Sequence, residues 1–274
     1  MAHSATGTSR RGPLAAKVPE ITFLFWVIKL LTTAGGEATS DYLALHGYPL
    51  AAAVEVTIFV IAVIIQFWVR RYVAAAYWFL ALAIAIFGTG VADAMHLIVG
   101  IPYGGTTALW AVVLAIIFWT WYRTEGTLSI HSITTTRREL FYWATVFATF
   151  ALGTALGDFT ASVLHFGYLG SAVLFFVVIL IPAVAWRYGM NAVTAFWCAY
   201  VVTRPLGASL ADYFSKPHHL SGLNYGDGPT AVVMLALLVI LIVYTAFARY
   251  DIQQPPAADK RTATDGANTA PASQ

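Results

Sequence analysis

The chain has 274 residues, 59% of them hydrophobic and 10% charged, with a mean hydropathy of +0.72 and a formal net charge of +2 at pH 7. A soluble domain carries about a quarter charged residues, so this one cannot cover itself with polar side chains, and lipid is the solvent its composition asks for. The near-neutral charge, without a basic block, excludes a nucleic-acid surface, and a single cysteine, Cys198, excludes a disulfide framework and a cysteine-based zinc site.

In chain order, MAHSATGTSRRGPLAA (residues 1–16) is small and polar, lacks the apolar core of a signal peptide and reads as a disordered cytoplasmic tail. Apolar segments long enough to cross about 30 Å of hydrocarbon then recur at 20–44, 49–69, 74–99, 106–122, 139–165, 168–187, 190–214 and 229–248. Breakers separate them: His46-Gly47-Tyr48-Pro49, Gly100-Ile101-Pro102, Phe166-Gly167 and the loop from Pro217 to Pro229. From about Gln253 the composition turns to Pro, Ala and Thr, so 251–274 reads as a second disordered cytoplasmic tail. Residues 17–250 are one all-α membrane domain of eight spans, with 9 Trp, 14 Tyr and 17 Phe in the chain to supply interfacial anchors.

Basic residues orient the spans. Of 15 Lys and Arg, those at 10, 11, 17, 70, 71, 123, 137, 138, 187, 249, 260 and 261 lie in the tails and the even-to-odd connections. The odd-to-even connections hold one, Lys216, and Lys29 and Arg204 fall inside spans. That asymmetry predicts both termini in the cytoplasm of a multi-pass protein of a bacterial inner membrane.

The odd spans repeat one another. Each has an aromatic followed by tryptophan: Phe25-Trp26, Tyr77-Trp78, Tyr142-Trp143 and Phe196-Trp197. Ten residues later comes a glycine (Gly36, Gly88, Gly153, Gly207), and fifteen residues after the tryptophan an aspartate (Asp41, Asp93, Asp158, Asp212). The next span ends in an arginine beside an aromatic: Arg71-Tyr72, Tyr122-Arg123, Arg187-Tyr188 and Arg249-Tyr250. The repeats run over about 17–71, 72–123, 137–188 and 190–250. With this register, and with KVPEITFLFWVIKLLTTAGGEATSDYL at 17–43, the chain resembles a bacterial membrane-protein family of four tandem repeats of unknown function, each with two spans and a characteristic tryptophan. The resemblance implies an eight-helix inner-membrane protein and no activity.

Fifteen helical residues rise about 22 Å, so each aspartate lies toward the outer end of a span that begins near its tryptophan. Every repeat crosses twice, so all four share one orientation, related by an axis along the membrane normal. Four aspartates at one depth around such an axis are how cation pathways are built. The competing reading makes them polar clamps between helices. The tryptophans and glycines read as repeat packing, the glycines as points of close helix approach.

Residues that break the repeat are the sharper site candidates. Glu37 and Asp41 share a helical face at i, i+4, and Glu55 on the next span is expected near Asp41, completing a carboxylate cluster for ion binding or proton exchange. Lys29 and Arg204 read as a gate or as counter-ions, each with an acidic residue eight positions outward (Glu37 and Asp212), and Pro205 suggests a hinge beside Arg204. His96, three residues after Asp93, and His165 are candidate metal ligands; with the carboxylates they would suit Mn²⁺, Fe²⁺ or Zn²⁺. His46, His218 and His219 fall in loops.

The chain carries no HExxH, no phosphate-binding glycine loop and no GxSxG elbow, so an enzyme is not expected. The expectation is a permease or channel for a small cation, divalent metal included, with proton coupling open. Its partners would be the bilayer and a small solute, with no nucleic acid. The alternatives are a non-transporting module, such as a haem carrier using His96 and His165 or an assembly partner, and a transporter of a small organic anion through Lys29 and Arg204.

Overall fold

The computed structural model describes residues 17–248 and residue 251. The two tail assignments fall outside the described residues, except at Asp251, which is buried: its Oδ2 accepts from Tyr72 Oη at 2.6 Å and its carbonyl from Glu20 N at 2.9 Å.

Among the described residues the chain is all-helical, with α1 (Phe23–Ala44), α2 (Tyr48–Trp68), α3 (Ala74–Leu97), α4 (Tyr103–Glu125), α5 (Thr136–Asp158), α6 (Gly167–Arg187), α7 (Ala192–Ser215) and α8 (Asp227–Ala248). Local chemistry sets the ends. Thr22, Thr135 and Asn191 cap α1, α5 and α7 by accepting from backbone N–H groups of the first turn. Gly126 ends α4 with φ 68°, a left-handed C-cap for which glycine has no Cβ penalty. A π-helical turn, Phe159–Val163, carries the chain on from α5 directly after Asp158.

Six helices (α2, α3, α4, α5, α6 and α8) are long and apolar enough to cross a membrane, the signature of a multi-pass membrane protein. The other two, α1 and α7, carry Lys29, Glu37 and Asp41, and Arg204 and Asp212. They tolerate these because of where they sit. α1 packs on α3 and α7, and α5 also packs on α3 and α7, so the odd helices close a central ring. The even helices form an outer shell, each leaning chiefly on the odd helix of the next repeat: α2 on α3, α4 on α5, α6 on α7, and α8 back on α1. The shell turns Val56, Val60 and Ile64 (α2), Val112 and Ile116 (α4), Val173, Val177 and Ile181 (α6) and Val232, Val239 and Val243 (α8) outward. A helix wrapped by protein need not be apolar all round, whereas one facing lipid must be.

Two cyclic sets of contacts fix the ring. The aromatic before each tryptophan meets the tryptophan of the next repeat: Phe25 on Trp78 (5.5 Å between ring centroids), Tyr77 on Trp143 (5.2 Å), Tyr142 on Trp197 (6.0 Å) and, closing the circle, Phe196 on Trp26 (5.8 Å). The repeat glycines do the same nearer the aspartates. A Cβ on Gly36 would overlap Ala85, on Gly153 Arg204 and on Gly207 Thr33, and on Gly88 it would stand 3.0 Å from Phe150 Cβ. Backbones pass this close only where a side chain is missing.

At the tryptophan end, buried Glu139 joins Lys17 Nζ (2.7 Å) to Gln66 Nε2 (2.9 Å), and Trp197 Nε1 donates to Leu128 O (2.9 Å). At the aspartate end the loop between α7 and α8 folds back. The N–H groups of Leu223, Asn224, Tyr225 and Gly226 donate to the carbonyls of Tyr213, Lys216, Phe214 and Ser215, satisfying groups that a helix C-terminus leaves open.

Candidate functional site

Residues four apart share a helical face. Counted from each tryptophan, positions −1, +3, +7, +11 and +15 form the stripe that each odd helix turns toward the central axis. Stacked, these stripes make five layers.

The first layer, Phe25, Tyr77, Tyr142 and Phe196, is an aromatic plug in which the Tyr77 and Tyr142 hydroxyls hydrogen-bond to each other. The second is Lys29, Ala81, Val146 and Tyr200. Lys29 is buried with its ammonium 3.6 Å from the Tyr200 ring centroid and 4.9 Å from that of Phe150, a cation–π seat. The third, Thr33, Ala85, Phe150 and Arg204, meets the fourth, Glu37, Thr89, Thr154 and Ala208, in a polar knot. Arg204 is fully buried. Its Nη2 donates to Glu37 Oε2 (2.6 Å), Thr154 Oγ1 (2.6 Å) and Thr89 Oγ1, its Nη1 to Thr33 O (3.1 Å) and its Nε to Phe150 O (3.3 Å). A buried charge is tolerated when paired and hydrogen-bonded in this way.

Glu37 is used asymmetrically. Arg204, Thr89 and Thr154 all donate to Oε2. Oε1 receives no hydrogen bond from a described residue, and Glu37 forms the floor of a cavity of about 150 Å³. The fifth layer, Asp41, Asp93, Asp158 and Asp212, makes the walls, with Tyr103 and Tyr168 from the first turns of α4 and α6 and with Lys216 at the rim. Lys216 Nζ stands 2.7 Å from Asp41 Oδ2, 3.1 Å from Asp227 Oδ1 and 3.9 Å from Asp212 Oδ1. It lies just beyond α7. Burial opposes its charge, but the Asp41, Asp212 and Asp227 carboxylates prevail and hold the ammonium above the usual lysine range. Asp93, Asp158 and Asp212 accept no hydrogen bond from any described residue, and Asp212 Oδ1 is buried without a donor. Glu37, Asp41 and Asp212 can each place one oxygen so that all three lie within 4.8 Å of one another.

The other sequence candidates lie elsewhere. Glu55 does not line the cavity. It is buried between α2 and α3, accepting from Ser40 Oγ at 2.6 Å, and fills the space where Gly90 has no side chain. Neither His96 nor His165 lines the cavity: the His96 ring stacks on Tyr103 and its Nδ1 bonds Ile101 O (2.9 Å), while His165 sits in a turn at φ 58°. Nδ1 of His46 and of His218 bonds a nearby carbonyl, Tyr42 O and Gly222 O. Arg204 pairs with Glu37, not with Asp212, and Lys29 sits among rings instead of beside Glu37. Pro205 lies inside a continuous α7. Sequence reasoning missed Thr89 and Thr154, although both occupy the register position of Glu37, and Lys216, although it is the lone basic residue of the odd-to-even connections.

Compared with known proteins, the chain matches no curated protein and no solved structure. A family model described as Repeat of Unknown Function (DUF347) matches it four times, at residues 24–72, 76–127, 141–189 and 195–250. These matches coincide with the four helix pairs built around the axis, and the chain belongs to this repeat family of unknown function.

Proposed function

We propose that this protein is a membrane carrier for a small cation and that the aspartate cavity is the outer, substrate-binding end of its path. The observation behind this reading is the convergence of Asp41, Asp93, Asp158 and Asp212 on one cavity floored by Glu37. Clamps between helices would spend their carboxylates on each other's donors. Three of these four accept no hydrogen bond from a described residue, which favours a ligand. An ionised group within a membrane costs about 2.5–3.5 kcal/mol at a helix centre on insertion scales, less toward the interface, so four together call for compensation from something that visits.

In this reading all eight helices span a bacterial inner membrane. The four odd helices run the same way about a pseudo-fourfold axis along the membrane normal. The arginine-rich tryptophan end and both termini are cytoplasmic, and the aspartates face outward. Exposed Trp68, Trp119, Trp186 and Phe247 near the ends of the even helices supply an aromatic belt on the arginine side. The knot around Arg204 and the aromatic plug fill the axis below the cavity, which supports a carrier that rearranges over an open channel. Glu37, shared between the knot and the cavity, is the residue through which proton coupling would act.

The test is uptake into proteoliposomes of Mn²⁺, Mg²⁺, Zn²⁺ and K⁺ by the wild type and by D41N, D93N, D158N and D212N. The proposal expects uptake of at least one cation above protein-free vesicles and its loss in the asparagine variants. Wild-type uptake in all four variants, or none by the wild type, refutes it.

A further inference from the structure

Resting on the transport reading of the cavity, we propose a more specific site within it: Glu37, Asp41 and Asp212 chelate a hard divalent ion, and Lys216 is a tethered cation that the ion must displace.

Four observations support the site. The three carboxylates come from two neighbouring helices, α1 and α7, and can each bring one oxygen to within 4.8 Å of the other two. Donors on opposite sides of one ion are separated by about twice the metal–oxygen distance, roughly 4.2 Å for Mg²⁺ and about 4.8 Å for Ca²⁺, so the spacing suits such an ion with little movement. Asp212 is 96% buried in the sense that only 4% of its surface is exposed, and its Oδ1 has no hydrogen-bond donor. Glu37 Oε2 is held by Arg204 and two threonines, which orients the carboxylate and leaves Oε1 without a donor among the described residues. The donors on offer are all oxygen, with no imidazole or thiol in the lining. That chemistry favours Mg²⁺, Mn²⁺ or Ca²⁺ over the softer metals.

Lys216 already plays the ion's electrostatic part. Its ammonium is 2.7 Å from Asp41 Oδ2 and 3.9 Å from Asp212 Oδ1, bridging two of the three ligands from above. The third carboxylate it touches, Asp227 at 3.1 Å, is the first residue of α8 and is not among the three ligands. It gives the ammonium a place to stay when the ion arrives. The backbone of Lys216 is pinned, its N–H on Asp212 O (2.8 Å) and its carbonyl on Asn224 N (2.8 Å), so the side chain can swing without moving the loop. Ion and ammonium compete for the same oxygens. Binding of one opposes binding of the other, and this coupling is reciprocal.

The test is titration of the purified full-length protein in detergent with Mn²⁺, read by the electron paramagnetic resonance signal of the free ion. The panel is the wild type, D212N, K216M and K216R, each checked to be monodisperse. The proposal expects saturable binding by the wild type and its loss in D212N. K216M should bind about tenfold tighter or better, the scale of an ordinary coupling between sites, and K216R, which keeps the charge, should stay within about threefold of the wild type. Unchanged or weaker binding by K216M overturns the displacement. Unchanged binding by D212N overturns the ligand set. If Mn²⁺ does not bind while proteoliposomes still take up K⁺ in an aspartate-dependent way, the divalent site falls and the transport reading stands; absence of both removes both.

Discussion

Replacing Arg204 with methionine isolates the polar knot that separates the cavity from the aromatic plug. The guanidinium is fully buried and donates to Glu37, Thr89, Thr154 and two backbone carbonyls. Its removal leaves the Glu37 carboxylate, itself 3% exposed, with two hydroxyl donors and no opposite charge. Breaking one side of a buried pair costs about 3–5 kcal/mol. Exchanging both sides for apolar groups of similar volume is often neutral or stabilising, and with Glu37 gone the single Thr89 hydroxyl proton still has Ala85 O, at 2.9 Å, as an acceptor. R204M and E37M should therefore each lower stability by about 3–5 kcal/mol, and the R204M/E37M double variant should recover most of the loss, a coupling of roughly 3 kcal/mol or more. At about 2–4 °C per kcal/mol for a chain of this size, each single variant should lower the thermal midpoint in detergent by roughly 6–20 °C, with the double variant within a few degrees of wild type. Midpoints that simply add would refute the argument, as would an R204M midpoint equal to that of the wild type.

Three further outcomes follow from the packing. Gly36→Ala must push Ala85 and its backbone, so it should cost about 1–3 kcal/mol, whereas Gly35→Ala, whose nearest neighbour is the end of the Leu235 side chain at 3.3 Å, should change the midpoint by no more than a degree or two; equal effects would contradict the ring contacts. Glu139→Ala strands Lys17 and buried Gln66 together and should cost about 2–3 kcal/mol, read as a fall in the same midpoint. In a Cys198→Ser background, D93C should react with a charged, membrane-impermeant maleimide added to the outside of intact cells, and T89C, one turn deeper in the layer of Glu37 and bonded into the Arg204 knot, should not; D93C that reacts only after the cells are permeabilised would invert the proposed orientation.

Periodicity along the chain was sufficient for a good deal of this. The expected segments match the helices to within about three residues at every end but one: the segment expected to reach residue 165 runs past Asp158, the end of α5, and takes in the π-helical turn Phe159–Val163, whose apolar residues do not mark the change in helix type. The W-x9-G-x4-D register anticipated which residues recur at equivalent points, because a helix converts spacing into height and face. The lining of the cavity by all four aspartates is consistent with that reading. Spacing failed at each question about neighbours. Nothing in the sequence announces Ser40, fifteen residues earlier on α1, as the partner of Glu55, and Arg204 lies eight residues from Asp212 yet reaches across the axis to Glu37.

The amino-acid sequence by itself determined the class of solvent, the number of repeats and the height of each polar group along its own helix, since composition and a 3.6-residue period are properties of a single segment. The tertiary structure decided which groups meet. It placed each even helix on the next repeat's odd helix, gave Glu37 to Arg204, turned His96 onto Ile101 O, and brought Lys216 over Asp41 and Asp212. Those pairings depend on how four near-identical faces close around one axis and on which repeat departs from the others at each layer, and no single helix carries that information.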